Sequence, residues 1–285
     1  MKRNIFYGCM LLASALTLQA CSDILDEDPK GKHTPGNFFA SQNDLDESLY
    51  ALYEQVNHTQ NYTNPGYPQW QGDDITANPG SNKQACAEID KFQVSDNNKG
   101  VRDAWRLHYN LIQAANYIID NAEKTPVAKE NIDLAIAQAR FWRAYAYYYL
   151  VRVFGPLPIN LHNEDDNRPT KLTDVQGVYD LIVSDLEAVD AVNLPTHYTS
   201  APAQLFGVDV YVTQQAVKST LSAVYMSMAG YPLNKGQGYY AKAAEKAKEV
   251  IDGVNSGKYN ATMDADWRNV YSYGNNYNKE TILGI

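Results

Sequence analysis

Residues 139–158 read Ala-Arg-Phe-Trp-Arg-Ala-Tyr-Ala-Tyr-Tyr-Tyr-Leu-Val-Arg-Val-Phe-Gly-Pro-Leu-Pro, and no other run restricts the fold as strongly. Traced back to Ile132, the run places Ile132, Ala135, Ala139, Trp142, Ala146, Tyr149 and Val153 at alternating steps of three and four, which is one face of a helix. That face is expected in the core. Ala135, Ala139 and Ala146 let a neighbouring helix come close, and Trp142 and Tyr149 supply the large apolar area that holds the pair. A second face carries Arg140, Arg143 and Tyr147. Gly155 follows the last periodic residue, and Pro156 and Pro158 cannot continue a helix, so the chain is expected to leave extended.

Helical periodicity recurs on both sides of this run. Leu45, Leu49, Leu52 and Val56 mark a first helix starting near Asn43. Trp105, Tyr109, Ile112, Ala115 and Ile119 mark a second that ends before Pro126 and forms a hairpin with the helix over residues 132–154. Thr173, three residues before Gln176, forms a capping box for a helix over residues 175–192, which Pro195 ends. After a loop over residues 193–210, Val217, Leu221, Val224 and Met228 give a further core face that Gly230 and Pro232 close. The run Tyr239-Tyr240-Ala241-Lys242-Ala243-Ala244-Glu245-Lys246-Ala247, with Tyr225 and Gly230, resembles a tetratricopeptide hairpin. A Tyr/Asn-rich loop then leads to Glu280-Thr281-Ile282-Leu283-Gly284-Ile285, read as a short strand. The fold class is therefore mainly α: a tetratricopeptide-like solenoid of helical hairpins with long irregular loops and minor β.

The loop over residues 62–82 has no helical period, yet it holds Tyr62, Tyr67, Trp70, Asp73, Asp74 and Asn78 among prolines and glycines. A loop this long in a compact chain is usually functional or disordered, and the aromatics speak against disorder.

At the N-terminus, Lys2 and Arg3 precede an apolar run over residues 5–18, too short for a bilayer span and laid out like a secretory signal peptide. Leu18-Gln19-Ala20-Cys21 resembles a bacterial lipobox, which makes Cys21 the lipidation site. Cys9 leaves with the leader, so Cys86 has no disulfide partner and the core must supply the stability. Asp23, Asp26, Glu27 and Asp28, followed by Pro29 and Gly31, read as a solvated tether. The organisation expected is a signal peptide over 1–20, a lipid-anchored tether and entry segment over 21–40, and a helical domain over 41–285.

With 285 residues, 45% of them hydrophobic, the chain can build a sizeable core as one large domain or two small ones. Tyrosine outnumbers phenylalanine 22 to 7, which leans toward a wet binding surface where rings bury and hydroxyls stay hydrogen-bonded. The net charge is -9, and without Lys2 and Arg3 the balance is 22 basic against 33 acidic residues, which argues against nucleic acid or anionic lipid as main partner.

No catalytic constellation is legible. Asp73-Asp74 and Asp165-Asp166 are adjacent acids that project in different directions, unlike a glycosidase pair. The five histidines show no metal-ligand spacing, and His162 beside Asn163, Glu164 and Asp165 is a weak candidate for calcium. There is no Gly-x-Ser-x-Gly and no phosphate loop. No enzymatic activity and no cofactor are expected.

The run Ala139-Arg140-Phe141-Trp142-Arg143-Ala144-Tyr145-Ala146-Tyr147, with its exit Phe154-Gly155-Pro156-Leu157-Pro158, resembles the signature of the SusD/RagB family. These are the glycan-capturing outer-membrane lipoproteins of Bacteroidetes. Residues 178–186 are also similar to the family's pattern. The resemblance implies a surface-exposed protein anchored in the outer membrane through Cys21. Its ligand would be extracellular oligosaccharide or polysaccharide, delivered to a SusC-like TonB-dependent transporter. It also implies a longer chain, with much of the glycan site in a downstream region, so that the sequence reads as truncated at its C-terminal end. The ligand-binding residues expected here are Trp70, Tyr67, Asp73, Asp74, Tyr62 and Asn78. Alternatives are a peptide-binding member of the same system and a tetratricopeptide-type adaptor; a surface hydrolase is a weaker third.

Overall fold

The computed structural model describes residues 38–59, 72–73, 76–77, 80, 83–163, 171–199, 201–275 and 277–285. The leader, Cys21 and the tether lie outside the described residues. The chain divides into the units Met1–Phe38 and Phe39–Ile285, and the second carries every element described below.

The fold is mainly helical. In chain order the described helices are α1 (Gln42–Thr59), α2 (Gln84–Asp90), α3 (Lys99–Asn121), α4 (Lys129–Phe154), α5 (Val175–Asp190), α6 (Gln214–Ala229) and α7 (Gln237–Asn255). From α3 onward each helix packs on the next, and α1 lies against both α3 and α4, giving a tetratricopeptide-like array of hairpins. None of the described helices is long and apolar enough to cross a membrane.

Helix α4 is the centre. Ile132, Ala135, Ala139, Trp142, Ala146 and Tyr149 are buried as their spacing predicts, but so are Ala137, Phe141, Arg143, Ala144, Tyr147 and Leu150 from the remaining faces. A helix packed against α1, α3 and α5 is buried over most of its circumference, so a one-sided stripe underdescribes it. Val153 departs from expectation and is 37% exposed. Gly155 ends α4 at φ 74°, a left-handed conformation that costs other residues more, and Leu157 then pairs with Thr173 in an isolated β-bridge.

That bridge corrects the expected cap of α5. Thr173 is held in the bridge, and Asp174 takes over as N-cap, its carboxylate accepting from the Gly177 N–H at 2.8 Å. In α1, Leu45, Leu49, Leu52 and Val56 are all buried, and in α6 so are Val217, Leu221, Val224 and Met228. Helix α2 carries no readable stripe, since Cys86 and Ile89 are its only buried residues.

Among the described residues the paired strands form one hairpin inside the 193–210 loop. Strands β1 (Gln204–Leu205) and β2 (Val208–Asp209) pair antiparallel across Phe206 and Gly207, both at positive φ. The strand expected over residues 280–285 does not form. Gly284 donates one hydrogen bond to the Asp209 carbonyl, and a Cβ there would lie 3.1 Å from Val208 Cγ1. One hydrogen bond against the flank of a two-residue strand does not extend a ladder.

Candidate functional site

Of the residues expected to bind ligand, Trp70, Tyr67, Asp74, Tyr62 and Asn78 lie outside the described residues, and Asp73 is exposed. A different set is brought together by the exit of α4. It starts from the two arginines of the 139–158 run. Arg143, buried, places Nε 2.8 Å from Asp185 Oδ2 and Nη2 2.8 Å from Oδ1, a bidentate clamp on α5, while Arg140 Nη1 reaches the same Oδ1 at 3.1 Å. The remaining fork of Arg143 donates to Asn116 Oδ1 on α3 at 2.9 Å. Three helices are thereby fixed through one buried carboxylate.

From Asn116 the same network fastens the extended exit. The Asn116 amide donates to the Asn160 carbonyl at 3.0 Å, and the Tyr147 hydroxyl donates to that carbonyl at 3.1 Å while accepting from the Asn160 N–H at 2.8 Å. Tyr109 donates its hydroxyl to the Pro158 carbonyl at 2.8 Å. Burial pushes the Tyr147 phenol up to about 12 and Tyr109 higher still, so both stay protonated as these donations require. Pro156 and Pro158 offer no N–H, and this part of the exit is held largely through its carbonyls and the Asn160 N–H.

Between this strap and α3 runs an open groove of about 450 Å³, with Trp105, Arg106, Tyr109, Asn110 and Gln113 on one wall and Pro158 and Asn160 on the other. The Trp105 ring stands at 88° to Phe154 with centroids 5.1 Å apart and tilts onto Tyr109 at 4.8 Å, so its orientation is set before any ligand arrives. A fixed aromatic face ringed by two or three amides and one guanidinium can seat a flat, polyhydroxylated ring.

The groove corrects the facing of α3. Of the stripe expected in the core, Ile112 and Ala115 are buried but Trp105, Tyr109 and Ile119 are only partly so, and a second stripe, Ala104, His108, Leu111, Ala115 and Ile118, is buried beside them. The four-three-four-three spacing of that second stripe was the available signal; the size of the rings outweighed it. His162, the weak calcium candidate, instead places Nδ1 2.9 Å from Asp120 Oδ1, and Glu164 and Asp165 lie outside the described residues.

Residues 23–226 match the model of a SusD-like family described as starch-binding and associating with the outer membrane. A SusD-like protein of Bacteroides ovatus is 28% identical over 97% of this chain, and the SusD-like protein P2 of Formosa agariphila is 26% identical over 93% of it. These alignments cover 48% and 49% of the two relatives, so the chain spans about half their length. Among solved structures, the surface glycan-binding protein A of Bacteroides uniformis superposes with a TM-score of 0.72 over 86% of this chain and 52% of its own, at 22% identity. A crystal structure with xylogluco-oligosaccharide superposes with a TM-score of 0.66 at 25% identity, over 84% of this chain and 45% of that one. With a family match over most of its length and the same arrangement of helices, the chain belongs to the SusD-like family.

Proposed function

We propose that this protein captures extracellular glycan at the cell surface, anchored in the outer membrane through Cys21, and passes it to a TonB-dependent transporter. The observation that carries the proposal is the preformed groove beside Trp105 and Tyr109. The C–H face of a pyranose can lie on these rings while Asn110, Gln113 and Asn160 take its hydroxyls. Further support comes from the related structure with xylogluco-oligosaccharide and from the lipobox over residues 18–21. Trp70, Tyr67, Asp73, Asp74, Tyr62 and Asn78 are proposed as additional ligand contacts from the 62–82 loop.

The test is calorimetry with a panel of plant and bacterial oligosaccharides. Trp105→Ala is expected to weaken the best ligand by about 1–3 kcal/mol, the range of aromatic stacking platforms, with only a modest drop in melting temperature because the ring is half-exposed. Unchanged affinity in Trp105→Ala, with loss in Trp70→Ala, would move the site to the 62–82 loop. If no oligosaccharide binds, a peptide ligand or a protein-adaptor role takes precedence.

A further inference from the structure

Among the described residues the groove carries charge of one sign: Arg106 lines it and no carboxylate does, although acidic residues outnumber basic ones 33 to 24 in the whole chain. The contrast with a second groove is direct. That one, about 630 Å³, is lined by Asp190, Glu249 and Asp252 as well as by Lys218 and Lys258, and Lys218 already pairs with Asp190 and Glu249.

Arg106 is only loosely engaged. Among the described residues its carboxylate neighbour is Asp103, whose Oδ1 lies 3.7 Å from Nη2, beyond hydrogen-bond distance, and the other oxygen of Asp103 is taken by Lys99. One turn back along α3, Arg102 is exposed and, among the described residues, has no carboxylate paired with it. Arg102, Arg106, Tyr109 and Gln113 follow one another at steps of four, three and four, so they form a single ridge of the helix along the groove. The Trp105 indole beside Arg106 is pinned by Phe154.

We infer that the groove selects acidic glycans: one sugar ring lies on Trp105 and Tyr109, and the carboxylate or sulfate of that ring or its neighbour is held by the Arg106 fork, with Arg102 adding attraction from the next turn. This inference rests on the glycan-binding function proposed above. A guanidinium offers five N–H donors in a planar fork that matches a carboxylate or sulfate, and Asp103, at 3.7 Å, leaves that fork free to hydrogen-bond a ligand. A neutral glycan needs only the aromatic faces and the amides.

The experiment pairs charged probes with neutralised copies of the same backbone. Oligogalacturonate is compared with its methyl ester, and a sulfated galactan oligosaccharide with its desulfated form, by calorimetry at low and high salt. The expected result is that at least one charged probe binds about tenfold or more tightly than its neutral copy, the scale of a charge-assisted hydrogen bond. That preference should shrink in salt and disappear in Arg106→Gln, and Arg106→Lys should restore part of it. Which probe responds separates a uronate from a sulfate. Arg106 is exposed and outside the core, so an unchanged melting temperature in Arg106→Gln certifies the fold. Equal binding of charged and neutral forms, or an equal loss of both in Arg106→Gln, overturns the inference. Binding of neutral probes that Trp105→Ala abolishes, without any charge preference, overturns the inference alone and leaves glycan capture standing. Failure of every probe in each arm overturns both.

Discussion

Helices α4 and α7 show two ways of using polar residues. Helix α4 takes Arg143 into the interior, where Asp185, 1% exposed, receives bonds from it and from the partly exposed Arg140, and Arg143 also reaches Asn116, so that α3, α4 and α5 are locked together. Helix α7, with Ala243 and Gly253 as its only buried residues, keeps its charges at the rim. There Lys246 and Lys218 each contact both Asp190 and Glu249, a closed square of four partly exposed groups. The lesson is one of redundancy. Each member of the square has two partners in a wet setting, whereas the buried network has no water to replace a missing member.

Three changes test that contrast. The largest effect is expected from Asp185→Ala, which strands the Arg143 guanidinium in the interior and should cost about 3–5 kcal/mol in chemical denaturation. A loss below 1 kcal/mol would mean that water reaches the network and that the two regions do not differ. The same change should loosen the strap through Asn116 and lower glycan affinity, which Lys246→Ala should leave alone.

The second test uses pH. His108 on α3 is buried, stacks on Tyr149 of α4 at 3.9 Å, and lies with Nδ1 2.7 Å from the Ala104 carbonyl. Burial holds its pKa down at about 4, below the ordinary value of 6.5. The unfolded chain therefore binds the proton first. Stability contributed by the neutral ring is complete above pH 6.5 and is lost as pH falls from 6.5 toward 4, by about 3 kcal/mol in all. His108→Gln should flatten the stability profile across that window; an unaltered slope would show that the ring is not the titrating group. The square on α7 behaves differently, because ion pairing lowers Asp190 and Glu249 and so keeps their contribution until more acidic pH.

The smallest effect is expected from Lys246→Ala, which leaves Lys218 to pair both acids and should cost about 1 kcal/mol or less by thermal unfolding. A loss comparable to that of Asp185→Ala would erase the distinction between buried network and rim.

Much of this architecture is legible in local sequence. The buried stripes of α1 and α6, the stop of α4 at Gly155 and the final helical hairpin all follow from spacings of three and four and from glycine and proline chemistry, which act within a turn or two of chain. What escapes is short or ambiguous. Helix α2 spans seven residues with two buried, and the hairpin turn places Phe206 where asparagine or glycine would have signalled it. On α3 two stripes overlap: Ile112 and Ala115 of the aromatic one are buried with Ala104, His108, Leu111 and Ile118, while Trp105 and Tyr109 stay partly exposed, Tyr109 bonded to the Pro158 carbonyl of the strap.

By itself the sequence determined the family, the helical class, and where the principal helix ends, since each of these rests on a contiguous run, whereas the helix starts at Lys129, three residues before the first periodic position. It also displayed Arg140 and Arg143 without revealing what they hold. Their partner Asp185 lies 42 residues beyond Arg143, and the groove joins α3 to residues 158–160 across 49 residues from Tyr109 to Pro158. Only the tertiary structure decided those meetings. A buried guanidinium must find a carboxylate wherever folding brings one, and nothing in the local spacing encodes which distant residue that is.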